Sequence, residues 1–392
     1  MNIVFFAHPA FLGSQSMPRF ASYLLEGMRA RGHQVAQWAP TPAAYRWSAR
    51  PALRKWLGYL DQYVRFPWQV RRRVRACPPD TLFVFTDHAL GPWVPLVAGR
   101  RHVVHCHDFL AQDSAAGRVP ENPTGFTGRL YQRYIRRGYR QARHFISVSH
   151  TTEQDLRRFL PGPPASSAVV YNGLNPLYRP LDPAAARRQL GQHAGLALAG
   201  GYLLHVGGNQ WYKNRRGCIE LYDAWRALPG SPALPLLLLG EPPSELLSAA
   251  RARSPYQADI HWLSGVPDEL VRAAYAGASL FLFPSLAEGF GWPIAEAMAA
   301  GCPVLTTQAA PMTEVGGAAA RYLPRRPADP AGAAAWAAAA APVMQQLVAL
   351  PGPERQALVA AGQANAARFE PEAALDEIEA IYHTLVATPA GL

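Results

Sequence analysis

The 392 residues predict an α/β protein built from two doubly wound halves. Three observations carry this expectation. Short apolar runs alternate with helical patterns twice along the chain, a stretch rich in Pro and Gly separates the two series, and the length exceeds what one hydrophobic core usually serves. The first series runs from a strand over 2–7 and a helix over 16–31, stopped at Gly32, to strands near 81–85, 102–106, 144–148 and 168–171. The second begins near Tyr202 and has strands near 235–239, 260–262, 279–283 and 303–306. Such short apolar runs, bounded by turn residues, fit parallel strands buried on both faces. Pro176, Pro180, Pro183 and the Gly/Ala-rich 191–201 segment read as the hinge, and Ala373 to Val386 as a last helix. The expected division is 1–185, 186–370 and a terminal helix over 371–392.

Composition narrows the classes. A hydrophobic content of 49% is that of a globular protein. No apolar run approaches the roughly 18 residues of a membrane span, and Met1 to Ala7 reads as a first strand rather than a signal peptide. Cys77, Cys106, Cys218 and Cys302 have no C-x-x-C spacing and fall in or near apolar segments, as buried thiols of a cytoplasmic protein do. Neither half carries G-x-G-x-x-G after its first strand, which disfavours a nicotinamide dehydrogenase. There is no D-x-D pair and no zinc-spaced cluster, so no metal or other cofactor is expected.

The most informative stretch is Glu288-Gly289-Phe290-Gly291-Trp292-Pro293-Ile294-Ala295-Glu296. It follows the apolar run 280–283, and a helix should follow it. Pro293 suits the first helical turn, and Gly301 suits the residue after the last. Free N–H groups at that helix start, the positive dipole end and the two glycines would form a phosphate cradle. Carboxylates accept paired hydrogen bonds, so Glu288 and Glu296 flanking the cradle would each hold sugar hydroxyls. A nucleotide sugar has that layout, a diphosphate between two sugars.

Lys55 and Lys213 are the only lysines among 38 basic residues. A chain that uses Arg almost everywhere keeps Lys where a compact ammonium is needed. Lys213 follows the apolar run 202–206 and the Gly207-Gly208 turn, where a diphosphate ligand belongs.

With its internal Gly-Phe-Gly, the spacing of Glu288 and Glu296 resembles the signature of the retaining glycosyltransferases of family GT4. The resemblance extends over nearly the whole chain through His105-Cys106-His107-Asp108-Phe109, Ile146 to Thr152, Val170-Tyr171-Asn172-Gly173, and His205-Val206-Gly207-Gly208-Asn209 leading to Lys213-Asn214. It implies a GT-B fold: two Rossmann-like domains facing across a cleft, an N-terminal acceptor-binding domain, a C-terminal domain for the nucleotide sugar, and a last helix crossing back to the first domain near Phe369-Glu370-Pro371. It implies a donor site drawn from Gly13, Gly207, Asn209, Lys213, Glu288, Gly289, Phe290, Gly291 and Glu296. The family usually pairs the lysine with an arginine, but the corresponding places here hold Gly208 and Tyr212. Either Arg215 or Arg216 supplies the second cation from the helix start, with Arg215 the favoured one, or one charge plus the helix dipole suffices.

In the first half, Gly13 lies where the family's first loop approaches the donor, although a turn glycine would look the same. His107 ends the 102–106 strand on the ligand-bearing edge of such a sheet. The resemblance implies that it holds the donor near the acceptor. Asp108 is either a base that orients an acceptor hydroxyl or the N-cap of the next helix.

Residues 46–75 hold nine basic side chains, Arg46, Arg50, Arg54, Lys55, Arg65, Arg71, Arg72, Arg73 and Arg75, against the single acid Asp61, with Trp47, Trp56 and Trp68 among them. Basic residues interleaved with Trp fit a helix lying on an anionic membrane surface, where a lipid-linked acceptor would be found. A solvated basic face with its Trp residues packed inward fits equally. No nucleic-acid motif accompanies the charge, so no nucleic acid is expected as a partner. The expected activity is transfer of a sugar, from GDP-mannose or a UDP-sugar, to a hydroxyl of a glycan or lipid-linked saccharide in bacterial surface polysaccharide assembly. The protein would sit in the cytoplasm or on the inner face of the membrane. The rivals are an epimerase or hydrolase with the same donor site, and a non-catalytic sugar-nucleotide or nucleic-acid binder.

Overall fold

The computed structural model describes residues 1–13 and 16–387. It divides into two compact units, Met1–Tyr171 with the segment from Glu372 onward, and Asn172–Pro371.

The first unit is built on a six-stranded sheet. Its strands are β1 (Asn2–Phe6), β2 (Gln34–Trp38), β3 (Leu82–Phe85), β4 (His102–Cys106), β5 (His144–Ser147) and β6 (Ser166–Val169), in the order β2-β1-β3-β4-β5-β6. All pairs are parallel, with Val4 opposite Phe83 and Phe6 opposite Phe85. Successive side chains leave opposite faces of a strand. Val4, Phe6, Phe83, Phe85, Val104 and Cys106 therefore join a core with Phe66, Trp93, Tyr139 and Phe159. Ile3, Phe5, Leu82, Val84, Val103 and Ile146 line the other face, against Phe20, Leu24 and Met28 of the helix Ser16–Ala30 and Leu375, Ile378, Tyr382 and Leu385 of the helix Pro371–Ala387. Spacings of three and four residues put that last set on one helical stripe. The final helix thus completes the first unit, and His105 Nε2 meets the Tyr382 hydroxyl at 2.8 Å inside it.

The second unit holds β7 (Leu203–Val206), β8 (Leu236–Leu239), β9 (Ile260–Leu263), β10 (Leu280–Phe283), β11 (Val304–Thr307) and β12 (Arg321–Leu323), in the order β12-β11-β10-β7-β8-β9. These pairs too are parallel. Leu236, Leu238, Leu280 and Leu282 pack with Ile219, Tyr222 and Trp225 of the helix Arg215–Arg226 and with Trp336 and Met344 of the helix Pro330–Val348.

Two expectations shift. The boundary falls at 171/172, ahead of 185, because the proline-bearing stretch beyond Asp182 is not a linker. Pro183 starts the helix Pro183–Ala194, capped by Asp182, whose Leu190 is buried within the second unit. The edge strands β2 and β12 were also not expected, since Gln-Val-Ala-Gln-Trp and Arg-Tyr-Leu lack an apolar run. Cys106, Cys218 and Cys302 are buried and Cys77 is half-buried, all as free thiols. Among the described residues no single helix is long and apolar enough to cross a membrane.

Candidate functional site

In the second sheet the chain reverses its order between β7 and β10. Strands β8 and β9 extend to one side of β7, and β10, β11 and β12 to the other. The loops after β7 and β10 diverge there, and ligands of open α/β sheets bind at such a point beyond the carboxyl ends of the strands. Lys213 stands on the first loop and Glu288 on the second.

The two side chains meet. Lys213 Nζ lies 2.8 Å from Glu288 Oε1 and 3.0 Å from Oε2, and the ammonium sits 5.1 Å from the Phe283 ring centre. Ser285 Oγ lies 2.6 Å from Glu288 Oε1 and 2.7 Å from the Tyr212 carbonyl, which also accepts from Leu286 N at 2.7 Å. Asn214 adopts a left-handed φ of 50°. Its Nδ2 donates to the Pro284 carbonyl at 2.8 Å, and its Oδ1 caps the next helix at Gly217 N. The two loops are stitched together on both sides of the ion pair, so neither charge depends on a flexible stem alone for its position.

Beyond Glu288, Gly289 and Phe290 lead to the helix Trp292–Ala299. Phe290 is buried edge-on against Phe369, with ring centres 5.4 Å apart. Gly291, at φ 101°, occupies the N-cap in a conformation that a side chain would strain, and no side chain caps this helix start. Glu296 lies one turn inside and accepts the Tyr275 hydroxyl at 2.9 Å. Burial first, and the Glu296 charge second, push the Tyr275 phenol well above its usual range, so it remains a donor. On the β7 side, a Cβ at Gly240 would stand 2.1 Å from the Gly207 carbonyl oxygen. Only glycine allows this approach, which brings the ends of β7 and β8 together. Asn209 N donates to Glu241 Oε2 at 3.0 Å, and Asn209 Nδ2 to the Pro242 carbonyl at 2.7 Å.

Arg215, the expected second cation for the diphosphate, is only 3% exposed. Its Nη1 donates to Asn209 Oδ1 at 2.7 Å and to the Glu241 carbonyl at 2.8 Å, and its guanidinium lies 4.7 Å from the Trp262 ring centre. As the first residue of its helix, it points back over the ends of β8 and β9, and burial lowers its pKa. These contacts tie it to the 207–209 loop through Asn209. The alternative, Arg216, is exposed and paired with Glu220 at 2.9 Å. A further cation, which sequence reasoning missed, contacts the Glu288 loop. Arg325, on the exposed loop after β12, places Nε 3.4 Å from the carbonyl of Leu286 in the Glu288 loop.

In the first sheet the order reverses between β1 and β3. Gly13, at φ 71°, closes the turn Ala10–Leu12 after β1. His107 lies just past β4 and is buried, with Nε2 2.8 Å from the Thr86 carbonyl. A carbonyl only accepts, so Nε2 carries the proton and Nδ1 is left as an acceptor. Burial lowers the His107 pKa, and the ring is neutral. Asp108 Oδ1 accepts from Leu110 N, two residues on, at 3.0 Å, while Phe109 occupies the N-cap of the helix Leu110–Ala115, and burial raises the Asp108 carboxyl above the usual range.

Three further groups converge there. Asp87, just past β3, lies 2.8 Å from His8 Nε2, just past β1, and 3.0 Å from His88 Nδ1. Burial opposes its charge, but the two imidazoles outweigh it and hold the carboxyl well below its usual range. At His88, burial opposes a proton and the Asp87 carboxylate prevails, raising the pKa. His8, Asp87, His107 and Asp108 thus stand at the carboxyl ends of three adjacent strands.

The basic segment forms one long run of helix, Pro51–Leu60, a π turn Asp61–Arg65 and Phe66–Ala76. Buried Asp61 accepts the backbone N–H groups of Ala43, Ala44 and Tyr45 at 2.9–3.0 Å. The Trp side chains point outward. Trp47 is 75% exposed, Trp56 68% and Trp68 58%, and Leu53, Leu60 and Val64 share that exposure. Trp56, Leu60, Val64 and Trp68 follow one another at intervals of four, one face of the helix. The helix Phe126–Tyr139 adjoins it through the Tyr63 and Tyr131 hydroxyls, 2.6 Å apart, and adds exposed Phe126, Leu130 and Tyr134.

Comparison with known proteins agrees with this geometry. The Glycosyltransferase Family 4 profile matches residues 17–176, and the Glycosyl transferases group 1 profile matches 200–345. The chain belongs to this glycosyltransferase family. Over 193 residues it is 30% identical to the O-antigen chain mannosyltransferase B of Escherichia coli, a match covering 48% of this chain and 49% of that protein. It thus spans about half the length of this curated relative. Sucrose-phosphate synthase from Thermosynechococcus elongatus has a similar structure, with a TM-score of 0.71 at 18% identity, covering 99% of this chain and 100% of the other. HepE of Anabaena in complex with UDP-glucose superposes with a TM-score of 0.69 at 17% identity, covering 98% of this chain and 100% of the other. The architecture of this family member is the GT-B fold.

Proposed function

We propose that the protein is a retaining glycosyltransferase that moves a sugar from a nucleotide-sugar donor to a hydroxyl of a glycan or lipid-linked saccharide in bacterial surface polysaccharide assembly. The observation that carries this reading is the meeting of Lys213 and Glu288 at the point where the second sheet reverses its order. The Escherichia coli relative is a mannosyltransferase and the Anabaena neighbour holds UDP-glucose, which favours GDP-mannose or a UDP-sugar as donor.

The roles follow from the chemistry of the groups. Lys213 and the N–H groups at the start of helix 292–299 neutralise the diphosphate, and Glu288 and Glu296 accept hydroxyl protons of the sugars. Arg325, in contact with the Glu288 loop, is a candidate for an added charge. Transfer breaks the bond from the anomeric carbon to the donor phosphate oxygen and forms one to the acceptor oxygen on the same face. The acceptor proton passes to the departing phosphate, whose developing charge Lys213 stabilises, so no protein nucleophile is needed. In the first unit, neutral His107 offers Nδ1 to a sugar hydroxyl, and the His8–Asp87 pair offers an oriented imidazole to the acceptor. The exposed Trp face at 46–75 serves as the seat on anionic lipid on the inner face of the membrane, where a lipid-linked acceptor would be held.

The test is a thermal-shift panel of GDP-mannose, UDP-glucose and related donors, followed by transfer assays with the donor that binds. Lys213→Ala and Glu288→Ala should each lose transfer by about 100- to 1000-fold, corresponding to roughly 2.7–4 kcal/mol of transition-state stabilisation, while keeping a cooperative melt. Near-parental transfer in either variant, or no response to any nucleotide sugar, rejects the assignment.

A further inference from the structure

On the first unit, at the opposite end of the strands from His8 and His107, lies a cluster that the transfer reaction does not use. His33 is the residue before β2, and Glu379 and His383 stand one turn apart on the helix Pro371–Ala387. Glu379 Oε1 lies 2.6 Å from His33 Nε2 and 3.6 Å from His383 Nε2, and the three donor atoms all fall within 4.8 Å of one another. Among the described residues this is the one group of His, Cys, Asp and Glu side chains with metal-binding spacing. We propose that His33, Glu379 and His383 bind a divalent ion of the zinc class, which fastens the last helix to the helix–strand junction at residues 31–34.

The donor set and its spacing support this. Two imidazoles and one carboxylate suit zinc rather than magnesium or calcium, which prefer all-oxygen sites. With metal–ligand bonds of about 2.0–2.1 Å in tetrahedral geometry, donor atoms stand ~3.3 Å apart. The pair at 3.6 Å already meets that spacing. The pair at 2.6 Å is a hydrogen bond that opens by less than ~1 Å as the ion takes the His33 Nε2 lone pair; the ring then carries its proton on Nδ1, which faces the Met1 nitrogen at 3.1 Å, and one proton is released to solvent. A water would fill the fourth position, on the side of His383, which is the exposed member.

Both platforms are tied to the fold, and three carboxylates outweigh the two nearby cations, Arg31 and the Met1 ammonium, which lies 3.1 Å from His33 Nδ1. His33 N donates to the Met28 carbonyl at 3.1 Å, and the last helix is pinned by buried Tyr382, next to His383. Arg31 Nε lies 3.2 Å from Glu379 Oε2, which leaves Oε1 turned toward the two imidazoles. Such outer contacts to a ligating carboxylate orient it. Arg31 Nη2 also holds Glu372 at 2.8 Å and Asp376 at 2.7 Å, so three carboxylates face one guanidinium. This acidic spot stands out on a chain of net charge +11.

The experiment uses the untagged full chain, stripped with chelator and titrated with Zn2+ at pH 7.5. Equilibrium dialysis should give one ion per chain, and the melting temperature should rise by about 5 °C at saturating metal. His383→Ala changes an exposed residue, so the fold should persist while uptake and the melting shift disappear. Glu379→Gln should weaken uptake at least tenfold, and His193→Ala, altering an exposed histidine elsewhere, should leave it unchanged. No uptake at 100-fold excess Zn2+, or equal uptake by His383→Ala and the parent, overturns the proposal. These readouts need neither donor nor acceptor, so they stand apart from any test of sugar transfer.

Discussion

Replacing Trp56 and Trp68 by Ala tests the membrane seat most directly, because both side chains are already largely in water. A Trp side chain offers up to about 250 Å² of surface, so exposures of 68% and 58% leave roughly 170 and 145 Å² to be withdrawn into lipid. At about 25 cal/mol per Å², complete withdrawal would contribute ~4 kcal/mol for each. A helix lying in the interface sinks by only part of its diameter, and half immersion gives about 2 kcal/mol per Trp. Each substitution should therefore weaken partitioning ~30-fold and the pair ~1000-fold, with little change in melting temperature. The assay is co-sedimentation with vesicles containing phosphatidylglycerol at low salt, with the blue shift of Trp fluorescence as a second signal. Changing Arg71, Arg72, Arg73 and Arg75 to Gln should add a salt-sensitive loss, up to about 1 kcal/mol per charge. Arg72 stacks on Trp68, with its guanidinium 4.8 Å from the ring centre, so those two effects should not be additive. Parental binding by the double Trp variant, or a preference of the parent for single-stranded RNA over vesicles at matched salt, would refute the reasoning.

Three further outcomes are expected. Sugar transfer should survive EDTA, because Lys213 and a helix start provide the positive charge; full loss of turnover restored by manganese or magnesium would contradict this. The same chelator should lower the melting temperature if the ion at His33, Glu379 and His383 is present. Burial lowers the pKa of both His105 and His205 to about 3. The unfolded chain takes up these protons near pH 6.5 and the folded chain does not, so this stability is complete above pH 6.5 and is lost progressively toward pH 3. The melting temperature should fall steadily from pH 7 to 4.5, and a flat profile would count against neutral buried rings.

Where the sequence spoke through long apolar runs it was read well. The strands at 203–206 and 280–283, the turn at 288–291 and the final helix were legible because burial on two faces leaves runs of Leu and Phe, and because Gly and Pro punctuate their ends. The edge strands were not, since β2 and β12 hide few side chains. The contacts of Arg215 were not legible because a helix start gives the position of a residue but not the direction of its side chain, and here the carbonyls of Glu241 and Leu238 accept from it. The His8–Asp87 contact joins residues 79 apart in the chain, so no local pattern announces it. A usable signal did exist, because both residues directly follow strand runs on the edge where ligands bind. The outward Trp residues were undecided for a similar reason, as the π turn at 61–65 shifts the helical register on which an inward or outward reading depends.

The route of the chain through the first unit also bears on how the protein is made. The sheet that begins at Asn2 has one face closed by Leu375, Ile378, Tyr382 and Leu385, which a ribosome adds only after residues 172–371. During synthesis Ile3, Phe5, Val84 and Val103 therefore wait with half of their cover missing while the second unit, contiguous in sequence, can fold as it emerges. A nascent chain stalled before Glu372 would display that apolar face to chaperones.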